Sequence, residues 1–264
     1  MLDDQRPSIH SGVDDLIDKV LGATGKGTRP GYASKKCAKQ LSGARPTQFD
    51  GIAFLHELYK LVEANGQASE RRPSAENWRF IKKLDISDDN RSQEKALEKT
   101  IARVAGEDWV NQVPTSSGLV TSGERHRNID LVHRLGDGAF DFIELKVGSD
   151  TPLFAAMEIL KNGLVYVYSR RRRDELEYSK AKSPLLWAER VTLVVLAPTP
   201  YYAEYDFGWL GSALRHGLSA LVEERLDDHL RIDFRFERFP DDFAWKCDDD
   251  ALLVALARRC PPTW

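Results

Sequence analysis

Two short apolar runs and the turn between them constrain this chain more than any other stretch. Ile129-Asp130-Leu131-Val132 is followed by Gly136-Asp137-Gly138 and then by Phe142-Ile143-Glu144-Leu145-Lys146-Val147. Strand-forming residues on either side of an Asp-Gly turn specify an antiparallel hairpin. Side chains alternate across a strand, so Glu144 and Lys146 share one face while Ile143, Leu145 and Val147 point to the other. Loop length decides the rest. A two-residue Asp137-Gly138 loop sets Asp130 opposite Leu145, whereas a three-residue Gly136-Asp137-Gly138 loop sets it opposite Glu144. Only the second register gathers Asp130, Glu144 and Lys146 on one face, because a slip of one residue turns every side chain over. An odd-length loop or a bulge is therefore expected.

The surrounding sequence alternates between helical and strand periodicity, which predicts an α/β chain with a mixed central β-sheet flanked by helices and an N-terminal helical extension. Helical spacing runs from Val13 to Leu21 and recurs in Phe54, Leu55, Leu58, Leu61 and Val62, with a Gly- and Lys-rich loop or short helix, 25–44, between them. Ser92 to Val104 reads as a helix with Ser92 as N-cap. Strands are expected over 129–135 and 139–147. Thr151-Pro152 opens a helix, since Thr caps well and Pro suits the first helical position, and Leu153, Met157, Leu160, Leu164 and Val167 form its buried stripe. Val191 to Ala197 is apolar enough to be a strand buried on both faces. Leu210 to Glu224 reads as a helix, Leu230 to Phe236 as a strand and Asp248 to Arg259 as a last helix. The polar stretch Asn65 to Pro73 suggests a boundary, and the division adopted is a helical accessory region, 1–85, and a core, 86–264.

Composition excludes several classes. With 42% hydrophobic and 30% charged residues the chain can build a real core, and its net charge of -3 rules out a wholesale basic coat. Cys37, Cys247 and Cys260 lie far apart with no CxxC pair, which argues against a zinc site or a disulfide framework and suits a reducing compartment. No apolar run reaches membrane-spanning length and the first residues are acidic, so a cytoplasmic protein without membrane contact is expected.

Two acids beside a base in mid-sheet suit a hard divalent cation and a phosphate. Asp130, thirteen intervening residues and Glu144-Leu145-Lys146 resemble the core of the PD-(D/E)xK nuclease superfamily, of restriction-endonuclease-like fold. The helix–strand–strand–helix order from about Ser92 to Arg170 is similar to that family's, although Ile129 stands where the motif has its leading Pro. The resemblance implies metal-assisted hydrolysis of phosphodiester bonds, in DNA rather than RNA, in bacterial defence or DNA processing. Asp130 and Glu144 would hold Mg²⁺ or Mn²⁺, with the Leu145 carbonyl as a third ligand. Lys146 would orient the attacking water or neutralise developing charge. The preceding helix commonly supplies a Glu, here Glu94, with Glu98 as the alternate one turn on. Asn162 and Tyr166 resemble the Gln-x-x-x-Tyr element of RecB-type members, with Asn in place of Gln, and would contact substrate in a row with Glu158.

Other features carry weaker readings. Arg170, Arg171, Arg172 and Arg173 either grip phosphates beside the site or end a helix in solvent. Lys35, Lys36, Lys39 and Arg45 read as a solvated face. His133 falls on the face away from Asp130, and Arg125, His126 and Arg127 line a loop. Gly25-Lys26-Gly27-Thr28 lacks the spacing of a phosphate loop. Tyr201, Tyr202, Tyr205, Phe207 and Trp209 read as core or anchor residues sooner than as a base-stacking surface. The N-terminal region would recognise substrate, regulate access, or mediate assembly as a homodimer or with a protein partner. The rival to hydrolysis is an inactive nuclease-fold module that binds nucleic acid or a protein.

Overall fold

One five-stranded sheet runs through the molecule with its strands in chain order. The computed structural model describes residues 8–26, 29–69, 72–84, 92–120, 127–226 and 229–264. Strands β1 (Trp109–Pro114), β2 (Asn128–Gly136) and β3 (Ala139–Leu145) are antiparallel neighbours. Strands β4 (Arg190–Ala197) and β5 (Arg231–Arg238) continue the sheet in parallel. The parallel connections pass through α5 (Pro152–Arg171) and then through α6 (Thr199–Tyr202) and α7 (Gly208–Arg225). Before the sheet come α1 (Val13–Leu21), α2 (Lys35–Leu41), α3 (Gly51–Gln67) and α4 (Gln93–Val104), and α8 (Asp249–Ala257) ends the chain.

The two faces of the sheet have separate cores. Phe140, Phe142 and Val132 meet α5, and Phe234 and Phe236 meet α7, while Leu131, Ile143 and Leu145 meet Leu97 and Ile101 of α4 and Leu252 and Leu256 of α8. Helix α5 is buried on nearly every side, because α1, α2 and α3 pack behind it as a further layer. The expectation of a single buried stripe is thus corrected: a helix apolar all round belongs inside a core. Residues of α1–α3 share one continuous core with α5 and α7, and Trp78 stacks on Phe142 of the sheet. The suggested division at 85/86 falls in residues outside those described. Gly163 sets the depth of α5, since a Cβ there would lie 2.4 Å from Leu193 Cδ1 of β4. No helix among the described residues is long and apolar enough to cross a membrane.

The hairpin reaches the expected register by the second of its two routes. Gly136 pairs with Ala139, so the loop is the two-residue Asp137-Gly138, not the three-residue one, with Gly138 at φ +70°. The register then shifts at Leu135, and from there Arg134 pairs with Phe140 and Leu131 with Ile143. That bulge places Asp130 across from Glu144, on the α5 face with Val132 and Phe142.

Strand β1 was not legible in the sequence. Its alternation breaks at Gln112, whose φ of 49° is left-handed. Trp109 faces α4 and α8, Val110 faces α5, and Val113 faces α5 again despite the odd spacing. The break lets the adjacent side chains of Asn111 and Gln112 bind one carboxylate, that of Glu98.

Candidate functional site

At the Leu145 end of β3, a cleft of about 330 Å³ is lined by residues from the N-terminal segment, α4, β2, β3 and α5. Glu144, Lys146 and Asp130 project into it from the hairpin, and Glu158, Lys161 and Asn162 from α5. Glu94, Lys95 and Glu98 of α4 close another side. The strand end matters chemically. Lys146 lies just past the ladder, yet its amide still donates to Leu196 O of β4 at 2.9 Å, so the side chain is held as firmly as a strand residue.

Lysines here are shared. Lys146 Nζ lies 2.9 Å from Glu144 Oε1 and 2.7 Å from Glu158 Oε2. Lys95 Nζ lies 2.8 Å from Glu98 Oε2 and 3.2 Å from Asp130 Oδ1. Asp130 also accepts the Leu145 amide through Oδ2 at 3.0 Å, which fixes its carboxylate against the end of β3. Four carboxylates of the cleft thus share two ammonium groups, and Asp150 Oδ2 stands 3.9 Å from Lys146 Nζ as well.

Burial and crowding shift the acids upward. Glu144 is held well above the ordinary carboxylate range by desolvation and then by the Asp130 charge, against the opposing pull of Lys146. Glu98 is pushed up to about 7 for the same two reasons in the same order. Lys146, although desolvation opposes it, is raised by Glu144, Glu158 and Asp130, so it stays an ammonium ion.

The residues anticipated from the sequence divide into two groups. Asp130, Glu144, Leu145, Lys146, Glu94 and Asn162 line the cleft together. Glu94 Oε1 accepts from Val147 N at 3.1 Å and from Ser149 Oγ at 2.8 Å, so it pins the loop after β3. Glu98 is an acid that feels the charge of Asp130, and it accepts from Lys95, Asn111 and Gln112. Asn162 accepts from Thr115 Oγ1 at 3.1 Å. Tyr166, Arg170, Arg171 and Arg172 are not among the lining residues. Tyr166 sits in the core against Trp78 and Phe142 and donates to Leu185 O. Arg170 is buried and donates to Leu186 O and Ala188 O, which anchors the segment before β4. Arg171 pairs with Glu63 and Arg172 with Glu175. The row of Glu158, Asn162 and Tyr166 therefore enters the cleft with its first two members only.

His10, Lys95, Asn128 and Lys161 line the cleft without having been anticipated. Lys161 had a signal, since a Lys-Asn pair inside an otherwise apolar helix is an exception that burial must compensate. His10 had none, as nothing periodic surrounds it. Arg125 and His126 lie outside the described residues, as do Gly27 and Thr28. His133 stacks on Trp109, with ring centroids 4.1 Å apart, on the face away from the cleft. The aromatic segment after β4 is an anchor: Tyr202 donates to Val195 O and Glu237 O, and Trp209 to Leu41 O. All three cysteines are free thiols.

Among the described residues no group of three or more His, Cys, Asp and Glu side chains is placed to hold a metal ion by side chains alone. What the hairpin offers is two carboxylates beside a strand-end carbonyl. No family model matches the chain, and comparison with the curated proteins and with the solved structures returns no match.

Proposed function

We propose that this chain is a divalent-cation-dependent hydrolase of phosphodiester bonds in nucleic acid, of the PD-(D/E)xK kind, with DNA as its substrate. One observation carries the reading: four carboxylates converge on a cleft and share two lysines between them. A deficit of positive charge among buried acids is what a cation relieves. The mixed sheet, with α4 before the hairpin and α5 after it, supports the same assignment.

The donor set fits such an ion. Asp130, Glu144 and the Leu145 carbonyl offer hard oxygen ligands, the kind that Mg²⁺ or Mn²⁺ takes. Bound there, the ion would supply Lewis acidity to a water and to the phosphate. The chain's own groups supply the rest. Lys146 keeps its proton and so can donate to an oxygen on which negative charge develops, while Glu158 and Glu144 hold its ammonium group in place. Glu94 fixes the loop of Val147 and Ser149 through which the lysine leaves the strand.

The pairing of Asp130 with Lys95 and of Glu144 with Lys146 favours a second reading, a module that binds nucleic acid without cutting it. A nuclease assay with Mg²⁺ or Mn²⁺ separates the two. Cleavage of duplex, single-stranded or branched DNA is expected, together with its loss in EDTA and a drop of about 10³-fold in Asp130→Asn and Glu144→Gln. Lys146→Ala is expected to cut at least about 10²-fold more slowly. Equal cleavage by that variant removes Lys146 from the mechanism, and no cleavage of any substrate selects the binding module.

A further inference from the structure

His10 stands in the same cleft with no visible purpose in the fold. It is 6% exposed, and neither ring nitrogen has a hydrogen-bond partner among the described residues. The backbone around it is well held: its amide donates to Ser8 Oγ at 3.2 Å, its carbonyl accepts from Val13 N at 3.0 Å, and Asn65 of α3 donates to the carbonyl of Ile9 at 3.1 Å. The ring is therefore presented by a fixed scaffold. Leaving a buried polar group unpaired opposes folding, so such a group in a cleft marks a place where a partner arrives.

The charges near the ring identify the partner's sign. Arg127, exposed where β2 begins, and Lys161, buried in α5, both act on His10 and line the cleft beside it. Lys161 Nζ lies 2.9 Å from Asp14 Oδ1 and donates to Tyr32 Oη at 3.2 Å, so it is braced from α1 and from the segment ahead of α2. With the Asp14 carboxylate set against Lys161, the two cations still leave a net positive charge here, which repels a metal ion and attracts an anion. Burial, and then the two cations, hold the imidazole well below its usual pKa, so one nitrogen carries a proton to donate and the other accepts.

We infer that His10, Arg127 and Lys161 form a phosphate subsite in which the His10 imidazole hydrogen-bonds an oxygen of the phosphodiester next to the one that is cleaved. The subsite rests on the hydrolase reading only for the identity of that anion. Arg127 and Lys161 supply attraction that any phosphate chain would feel, and His10 supplies direction.

The test is fluorescence anisotropy with a fluorescein-labelled oligothymidylate in EDTA, where neither hydrolysis nor a metal contributes, alongside thermal unfolding. His10→Phe keeps a buried ring and removes both nitrogens. Its Kd is expected to rise about tenfold, the loss of one hydrogen bond to a charged group, while Tm stays level or rises. His10→Gln, which restores a donor, is expected to recover part of the affinity. Arg127→Ala is expected to weaken binding and to reduce its salt dependence. Wild-type affinity in His10→Phe overturns the subsite, as does a fall in Tm and affinity together that Gln does not rescue, or no binding by the wild-type chain. A protein that cuts nothing yet loses affinity in His10→Phe refutes hydrolysis and leaves the subsite standing. Cleavage that depends on Asp130, with His10→Phe binding as wild type, does the reverse.

Discussion

Two clusters of buried charge lie on opposite faces of this sheet, and they are built differently. On the α4 and α8 face, Arg235 donates to both oxygens of Asp141 at 3.1 and 3.0 Å and lies 2.7 Å from Glu237. Arg259, just past α8, lies 3.1 Å from Glu237 and 3.6 Å from Asp141. Two carboxylates there meet two guanidinium groups, each of which reaches both, and Arg259 is further stacked over Trp109 at 5.2 Å. Around Asp130 and Glu144, Lys95 of α4 serves two carboxylates and Lys146 three, Asp150 being 3.9 Å from it, and the whole group opens on a cleft. The first cluster is a clasp that fastens the C-terminal helix to the sheet. The second has charge left over and room beside it. Charges matched one for one mark structure, whereas acids that outnumber the lysines beside them at a cleft mark a place prepared for something else.

The contrast breaks first at Asp141. Asp141→Ala removes a fully buried carboxylate and leaves Arg235 and Arg259 with Glu237 alone, and it is expected to cost about 3–5 kcal/mol of stability, read as a shift in urea midpoint, while turnover per folded molecule changes little. The same measurement on Asp130→Asn and Glu144→Gln is expected to show stability level or raised, because neutralising one of several crowded acids relieves repulsion. Equal destabilisation by both kinds of variant would mean that both clusters are structural.

pH sharpens the comparison at a smaller scale. Glu98 ionises at about 7 in the folded chain, above the ordinary carboxylate value of 4.5. The folded state therefore binds more protons than the unfolded state between those values, and stability falls as pH rises through that window by up to ~3 kcal/mol from this group, then levels off. Burial raises Asp141 too, so the decline is not the cleft's alone. The difference between wild type and Glu98→Gln isolates the share of Glu98: the variant is expected to show a flatter decline between pH 5 and pH 8 in urea melts. A decline of unchanged slope would place the titration elsewhere.

The smallest effect is steric. Gly163→Ala sets a methyl group against Leu193 and is expected to cost about 1–3 kcal/mol. Because Glu158, Lys161 and Asn162 ride on the same helix, activity is expected to fall by more than the lost stability accounts for, whereas the Arg clasp, which has no member on α5, stays intact. A loss of stability with full activity in the folded fraction would show that the helix can shift without moving the cleft.

Much of this arrangement was legible because it rests on local pattern. Hairpin periodicity located Asp130, Glu144 and Lys146, and the Thr151-Pro152 start located α5. Illegible parts depend on tertiary contact. Strand β1 escaped because Gln112 breaks its alternation, and that break exists to bring Asn111 and Gln112 to Glu98, a residue from another element. The arginines after α5 looked available because sequence shows charge and not partners: Arg170 turns inward to backbone carbonyls, and Arg171 finds Glu63, far away in the chain. His10 is the extreme case, since its place in the cleft comes only from the packing of the N-terminal layer behind α5.

Leu135 illustrates how a residue can matter by being counted. Its side chain is 45% exposed, so Leu135→Ser should pass almost unnoticed. Its backbone, however, is the extra unit that takes up the difference between a two-residue turn and the pairing of Leu131 with Ile143. Were it paired in the ladder instead of bulged, the parity of β2 would change: Asp130 would swing from the cleft to the clasp side of the sheet, and Leu131 would take its place among the acids, whereas deletion of Leu135 would close the bulge and leave Asp130 across from Glu144. The hairpin tolerates any side chain at this position, but with a two-residue turn and an odd number of residues between its two acids one residue must stay out of the ladder.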